Sequence, residues 1–304
     1  MSDSEKKLFT ERFNAMGSPC SLSLYCDSAA QFHEIMQKVL AHAQQLEACY
    51  SRYLPNSLIS QINANAGREL AFDLDDTTWQ LICYAQTAFE ISEGLFDITT
   101  GVLGKYWDFR LAQLPDPAVI QEKLSLIGWS KIQLRRQGFR LPLDGMELDF
   151  GGIVKEFCAD TIVTLVKANG FHAGLIDMGG DISIVGPHLD GRPWRVAVSN
   201  PKDPTQAIAH IPLITGGLAS SGDYARAFTV NGKRYSHIIN PLTGLPISGL
   251  SAVSVWAPLC VMAGTIATTA MLKNEDDGLQ WLQQVGCQYV AVTQDFSVFS
   301  NTSS

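Results

Sequence analysis

Five segments of the 304-residue chain set side chains able to do chemistry beside glycines able to turn a backbone. GLFDITTG at 94–101 presents Asp97 and Thr99 at a helix end, where they face a ligand or satisfy the loop's own amides. DFGGIVKEFCAD at 149–160 puts Asp149 and two glycines directly before a helical pattern, with Lys155 a turn or so inside. Free N–H groups at such an N-terminus suit an anion or a metal. The plain alternative is a capped helix with a solvated lysine. IDMGGDISIV at 176–185 carries a glycine pair inside a β pattern, flanked by Asp177 and Asp181, which reads as a bulge or a close approach.

The longest segment, ASSGDYARAFTVNGKRYSHIINPLTG at 219–244, joins two hydroxyl-rich loops through a hairpin turning at Asn231 and Gly232. Folding that hairpin brings Tyr224 and Arg226 into range of His237. A histidine flanked by Ser236 and Asn240 is a candidate general base, and equally a hydrogen-bonded group at a strand end. MAGTIATT at 262–269 opens a helix with small residues and threonines, for tight packing or for a hydroxyl contact to ligand or metal.

Several chemistries are excluded. There is no GxxxxGK[ST], no GxGxxG after a strand, no HExxH and no GxSxG, and the six histidines are isolated from one another. The net charge is −8, from 22 basic and 30 acidic residues, without a basic run, which argues against a nucleic-acid partner. Seven cysteines are scattered without a CxxC pair and read as reduced, buried thiols. The polar opening MSDSEKKLFTERF lacks the apolar stretch of a secretory signal, so a cytoplasmic location and no membrane partner are expected.

The elements that must position these groups follow from periodicity. A half-buried strand is expected over 20–26, and helices over 29–49, 76–92, 117–127, 153–169, 261–272 and 276–285. Asp75 and Asp76 are the capping candidates of the second helix, and Gly94 stops it. Short strands are expected at 131–134 and 139–141, a β run at 173–185, mostly strands from 194 to 256, and a closing hairpin at 288–300. The order is mixed rather than strictly alternating, which gives an α+β class. The expected organisation is a polar extension at 1–12 and a single domain at 13–304.

Taken in order, these segments resemble the ApbE family of FAD:protein FMN transferases, from about Phe13 to Leu272. The resemblance rests on MGS at 16–18, SRYLPNSLISQIN at 51–63, 96–101, 149–155, 178–186, SGDYAR at 221–226, HIINPLTGLP at 237–246 and 263–268. It implies an α+β fold of mixed and antiparallel sheets flanked by helices, with FAD in a deep cleft. It implies Mg²⁺-dependent transfer of FMN to a Thr or Ser hydroxyl of an acceptor protein, with AMP leaving. It further implies flavin-nucleotide contacts at Met16, Tyr53, Leu95, Phe96, Asp97, Asp149, Lys155, Ser221, Gly222, Asp223, Tyr224, Arg226, His237 and Ile238. His237 takes the role of base or proton shuttle, with Asp149 as its catalytic companion. Metal contacts fall at Gly152, Gly264, Ala267 and Thr268.

Phosphoryl transfer needs positioning and charge neutralisation more than covalent machinery, and these groups suit it. Tyr53 and Phe96 offer aromatic faces for a flavin or adenine ring. Three positions depart from the family pattern, one of them Ala267, which lacks a carboxylate that some members carry. Gly264 stands where relatives commonly carry Asp, so weaker Mg²⁺ binding is expected. Glu156 follows Lys155 where a glycine is usual, and can narrow the entrance or pair with Lys155. The expected acceptor is a flavin-carrying domain of a cytoplasmic reductase. Two other functions fit the same residues: storage of FAD without transfer, and hydrolysis of FAD to FMN and AMP.

Overall fold

Alternation of buried and exposed residues makes the strands, and helical spacing of apolar residues makes the layer beneath them. The computed structural model describes residues 6–107, 109, 111–203, 205–223, 227–231 and 233–302. The chain opens with β1 (Lys7–Ala15) and β2 (Ser18–Cys26), then α1 (Ala29–Tyr50), α2 (Leu58–Ala64), α3 (Asp76–Ile91) and α4 (Pro117–Leu124). The next elements are α5 (Val154–Ala168), β3 (Gly174–Met178), β4 (Ile182–Gly186), β5 (Trp194–Ser199), β6 (Ala207–Leu213), β7 (Gly217–Gly222), β8 (Ala227–Val230) and β9 (Lys233–Ser236). It closes with β10 (Ala252–Ala257), α6 (Cys260–Leu272), α7 (Glu275–Val285), β11 (Gln288–Val292) and β12 (Val298–Ser300).

Eight strands form one sheet in the order β1-β2-β3-β4-β7-β10-β11-β12, antiparallel throughout. The period of two sends alternate residues to opposite faces. Ala219, Val253 and Val255 point to the helical layer of α1, α5 and α6, whereas Ile184, Leu218 and Val290 meet the two-stranded ribbon β5–β6 on the other face. Helix α1 turns Phe32, Ile35, Met36, Val39, Ala43 and Leu46 inward, the spacing of one helical face. Helix α6 is buried on nearly every side, as its apolar and small residues require. A second hairpin, β8–β9, packs Phe228 and Tyr235 against Trp107, and with Val102, Leu103 and Ile120 they form a separate small core.

Four expectations meet a different structure. Residues 7–12, read as a polar extension, belong to β1, whose register with β2 runs from Lys7 opposite Cys26 to Ala15 opposite Ser18. As an edge strand with most side chains exposed it buries little and has no hydrophobic run to announce it. The strands expected at 131–134 and 139–141 shrink to isolated bridges, Gln133 with Arg140 and Phe72 with Phe139. The glycine pair 179–180 makes the turn of the β3–β4 hairpin, both residues at positive φ, so of the two readings the close approach, here to Ser18, holds and the bulge does not. The helix expected to reach 127 ends at Leu124. Tyr224, Arg226 and Gly232 lie outside the described residues, so the expected approach of the first two to His237 does as well.

Candidate active site

Asp149 is held from several directions. Its backbone N–H donates to Ile98 (2.8 Å), and the Asn63 side chain clamps the preceding peptide, accepting from Leu148 N at 2.8 Å and donating to Leu148 O at 3.0 Å. Its carboxylate accepts from Gly151 N (2.8 Å) and from Arg52 Nη1 (3.0 Å). The same guanidinium donates to Gly101 O (2.9 Å) and to Glu147 Oε2 (3.1 Å), and Lys105 pairs with the other oxygen of Glu147. Arg52 thus ties three loops into one frame, with the fork geometry that arginine alone provides. Sequence reading picked its neighbour Tyr53 and missed it. Its partners lie 95 and 97 residues away, and no local pattern announces them. Tyr53 itself is 82% exposed, with the Arg52 guanidinium 5.8 Å from its ring centroid.

Beyond Gly151 and Gly152, both exposed, α5 has no side-chain cap at Ile153, and the amides of Ile153 and Val154 both donate to Phe150 O at 2.9 Å. Phe96 packs beside Gly152 and is only 6% exposed, so the open aromatic face here is that of Tyr53. Both oxygens of Asp97 are taken inside the protein, one by Thr99 N and Oγ1 and the other by Trp129 N. Leu95 is half-buried. Half-buried Met16, at φ 51°, turns the β1–β2 hairpin with Gly17. That turn abuts the glycine turn of β3–β4, where a Cβ on Gly179 would meet the Ser18 side chain at 2.7 Å.

Lys155 is not a solvated lysine: its Nζ lies 2.5 Å from Asp181 Oδ2, and that carboxylate is buried. Burial works against the lysine's charge, but Asp181 and Glu156 outweigh it and hold the ammonium protonated above its ordinary range. Glu156 does not share the pair. It is buried, one carboxylate oxygen has no hydrogen-bond partner among the described residues, and burial with Asp181 nearby pushes its pKa up to about 8.

The facing helix α6 is fixed by a remote cap: Asp160 on α5 accepts from Cys260 N (2.9 Å), Val261 N (3.0 Å) and Ser183 Oγ (2.7 Å). Gly264 and Thr268 follow one turn apart on one α6 face, with Ala267 fully buried beside them. The Thr268 hydroxyl shares a 2.7 Å hydrogen bond with Ser221 Oγ, and Gly222 follows Ser221 at the end of β7 opposite Ala252.

His237 directly follows β9 and is half-buried at the bend into NPLTG. That loop closes on Asn240, whose Oδ1 accepts from Leu242 N and Thr243 N, while Trp107 Nε1 donates to Gly244 O at 2.9 Å. Ile238 accepts from Ile247 N, which returns the chain beside the histidine. Asp223 works as a clamp: its carboxylate accepts from Arg234, Gln294 and Ser251. These groups, except Ser251, line a cavity of about 130 Å³ with Ser236, Ile247 and Ser248. The structure therefore joins Lys155 to Asp181, Glu156 to Gly264 and Ser221 to Thr268 around α5 and α6, and Asp149 to Arg52, while Gly152 packs on Phe96. It places His237 on a separate element beside the Asp223 cavity.

Fold and site define an α+β protein in which a glycine-led helix and a small-residue helix face each other beneath an antiparallel sheet. The sequence matches the ApbE family over residues 16–291, and the chain belongs to that family. It is 31% identical over 289 residues to a FAD:protein FMN transferase of Treponema pallidum, covering 88% of this chain and 80% of that protein. A FAD:protein FMN transferase of Haemophilus influenzae is 27% identical over 284 residues, covering 90% and 81%. Among solved structures, an ApbE protein of Thermotoga maritima superposes with a TM-score of 0.87 at 24% identity over 97% of each chain. Flavinyl transferase ApbE of Pseudomonas stutzeri gives 0.86 at 25% identity over 99% and 96%.

Proposed function

We propose that this protein transfers the FMN moiety of FAD to a Thr or Ser hydroxyl of an acceptor protein. The hydroxyl oxygen bonds to the FMN phosphorus, the bond from that phosphorus to the bridging oxygen breaks, and AMP leaves with that oxygen. His237 takes the hydroxyl proton as the phosphodiester forms. Asp149, braced by Arg52, orients the exposed glycine turn at the start of α5 toward the pyrophosphate. Lys155, kept charged by Asp181, adds positive charge beside them. Tyr53 supplies an exposed aromatic face for the isoalloxazine or adenine ring.

The observation that carries this reading is a chain of contacts within a family match. Lys155 reaches Asp181 across 26 residues, and Ser221 reaches Thr268 across 47, on the helix pair that the family motifs mark. Mg²⁺ fits the donors present. Among the described residues, no three His, Cys, Asp or Glu side chains are set to hold a metal. Mg²⁺ commonly takes one or two carboxylates and completes its shell with phosphate oxygens and water. The hydroxyl of Thr268, carbonyls near Gly152, Gly264 and Ala267, and the unpartnered oxygen of Glu156 are hard donors of that kind. Bound there, Mg²⁺ would neutralise charge on the pyrophosphate.

The acceptor we propose is a flavin-carrying domain of a cytoplasmic reductase. No helix among the described residues is long and apolar enough to cross a membrane. Following AMP by chromatography, with FAD and Mg²⁺ present, tests the reaction. AMP should appear only when a Thr- or Ser-bearing acceptor domain is added. AMP and FMN released without acceptor would select hydrolysis, and FAD recovered intact with every acceptor would select storage.

A further inference from the structure

Glu156 raises a question that its surroundings answer. It stands in the first turn of α5, only 7% exposed, with one carboxylate oxygen unpartnered. The Lys155 ammonium makes its direct ion pair with Asp181 and acts on Glu156 only from a distance. Asp160 does not compete for the space, since its oxygens are bound to the amides that open α6. A buried carboxyl oxygen without a hydrogen-bond partner is costly, and a bound cation would satisfy it.

The carboxylate lies against α6 at Gly264. A Cβ built there would stand 2.8 Å from Glu156 Oε1 and 2.9 Å from its Cγ. Residue 264 therefore has to be glycine for Glu156 to occupy this position. One turn along the same face, the half-buried Thr268 presents its hydroxyl next to Ser221. A buried acid and a hydroxyl share one α6 face, close to the uncapped start of α5.

We propose that Glu156 is the carboxylate ligand of the divalent cation, reaching from α5 into the space that Gly264 leaves open. The inference rests on the flavin-transfer reading. The acid missing from α6 is supplied by the opposite helix, and the two departures at 156 and 264 are one exchange of position. Mg²⁺ binding is then as strong as a carboxylate site allows, not the weak binding that Gly264 alone implies.

The test uses Mn²⁺ as probe, titrated into the FAD-loaded protein and read by loss of its free electron paramagnetic resonance signal. The native protein should bind Mn²⁺. Glu156→Gln should weaken that binding at least as much as losing an outer-shell partner does, about 10- to 100-fold. The same variant should lose the metal-dependent rise in Tm while its metal-free Tm does not fall, because a neutral amide folds without taking up a proton. Combining Glu156→Gly with Gly264→Asp should recover Mn²⁺ binding. Equal Mn²⁺ affinity in Glu156→Gln and native protein, or no Mn²⁺ binding by FAD-loaded native protein, would overturn the proposal. The flavin-transfer reading fails differently, as absence of any FMN adduct while Mn²⁺ binding still depends on Glu156.

Discussion

Arg52 shows what one side chain does at this site. It holds Glu147 and Asp149 together and binds the carbonyl of Gly101. Removing it leaves Asp149 without its counter-charge and the nearly buried Glu147 with Lys105 alone. Arg52→Ala should destabilise the protein by about 3 kcal/mol in urea denaturation, and Arg52→Lys should recover only part, since ammonium cannot form the fork. A loss below about 0.5 kcal/mol would mean the brace is ornamental. Tyr53, its exposed neighbour, behaves oppositely. Tyr53→Ala should leave stability within about 0.5 kcal/mol of native while raising KM for FAD, as steady-state kinetics would show. Sequence alone exposed Tyr53 as an aromatic in a polar loop. It could not expose Arg52, whose role exists only once residues far apart in the chain meet.

At the scale of elements, α6 depends on its remote cap. Helix α6 has no side-chain cap of its own, and Asp160 supplies one from α5. Asp160→Asn should cost about 1–3 kcal/mol, because an amide can accept with one oxygen only and points a donor at the second N–H. Calorimetry measures this, and an unchanged Tm would show that α6 is held by packing alone. Helices were the legible elements: α1, α3 and α5 carry apolar spacing and local stop or cap signals, with Asp75 capping α3 as expected. Edge and bridge structure was not legible. In β1 partner strand and register decide the fold, and at residues 133 and 140 a single bridge depends on the opposing segment. The same limit hid the facing of Glu156 and Gly264. Each was visible as a departure, yet only packing α5 on α6 shows that one fills the room left by the other.

For the whole molecule, the thiols give a pH signature. Burial pushes Cys158 up to about 12 and Cys26 up to about 11, from an ordinary value of 9.0. A raised folded pKa contributes its full stability below the unfolded value and loses it as pH rises toward the folded one. Stability should therefore decline between pH about 9 and about 11, as urea midpoints across that range would show. Buried Cys20, Cys26, Cys158 and Cys260 should resist iodoacetamide in the native state, leaving modification to Cys49, Cys83 and Cys287. Rapid alkylation of Cys158 in folded protein would contradict this placement.

The act proposed for the chain as a whole is moving FMN onto a hydroxyl, and the intact mass of the acceptor tests that most directly. After incubation with the protein, FAD and Mg²⁺, the acceptor should gain the mass of one FMN in phosphodiester linkage. His237→Ala should still bind FAD and give no adduct. An acceptor of unchanged mass under native enzyme, across flavin-carrying domains that bear Thr or Ser, would contradict the account.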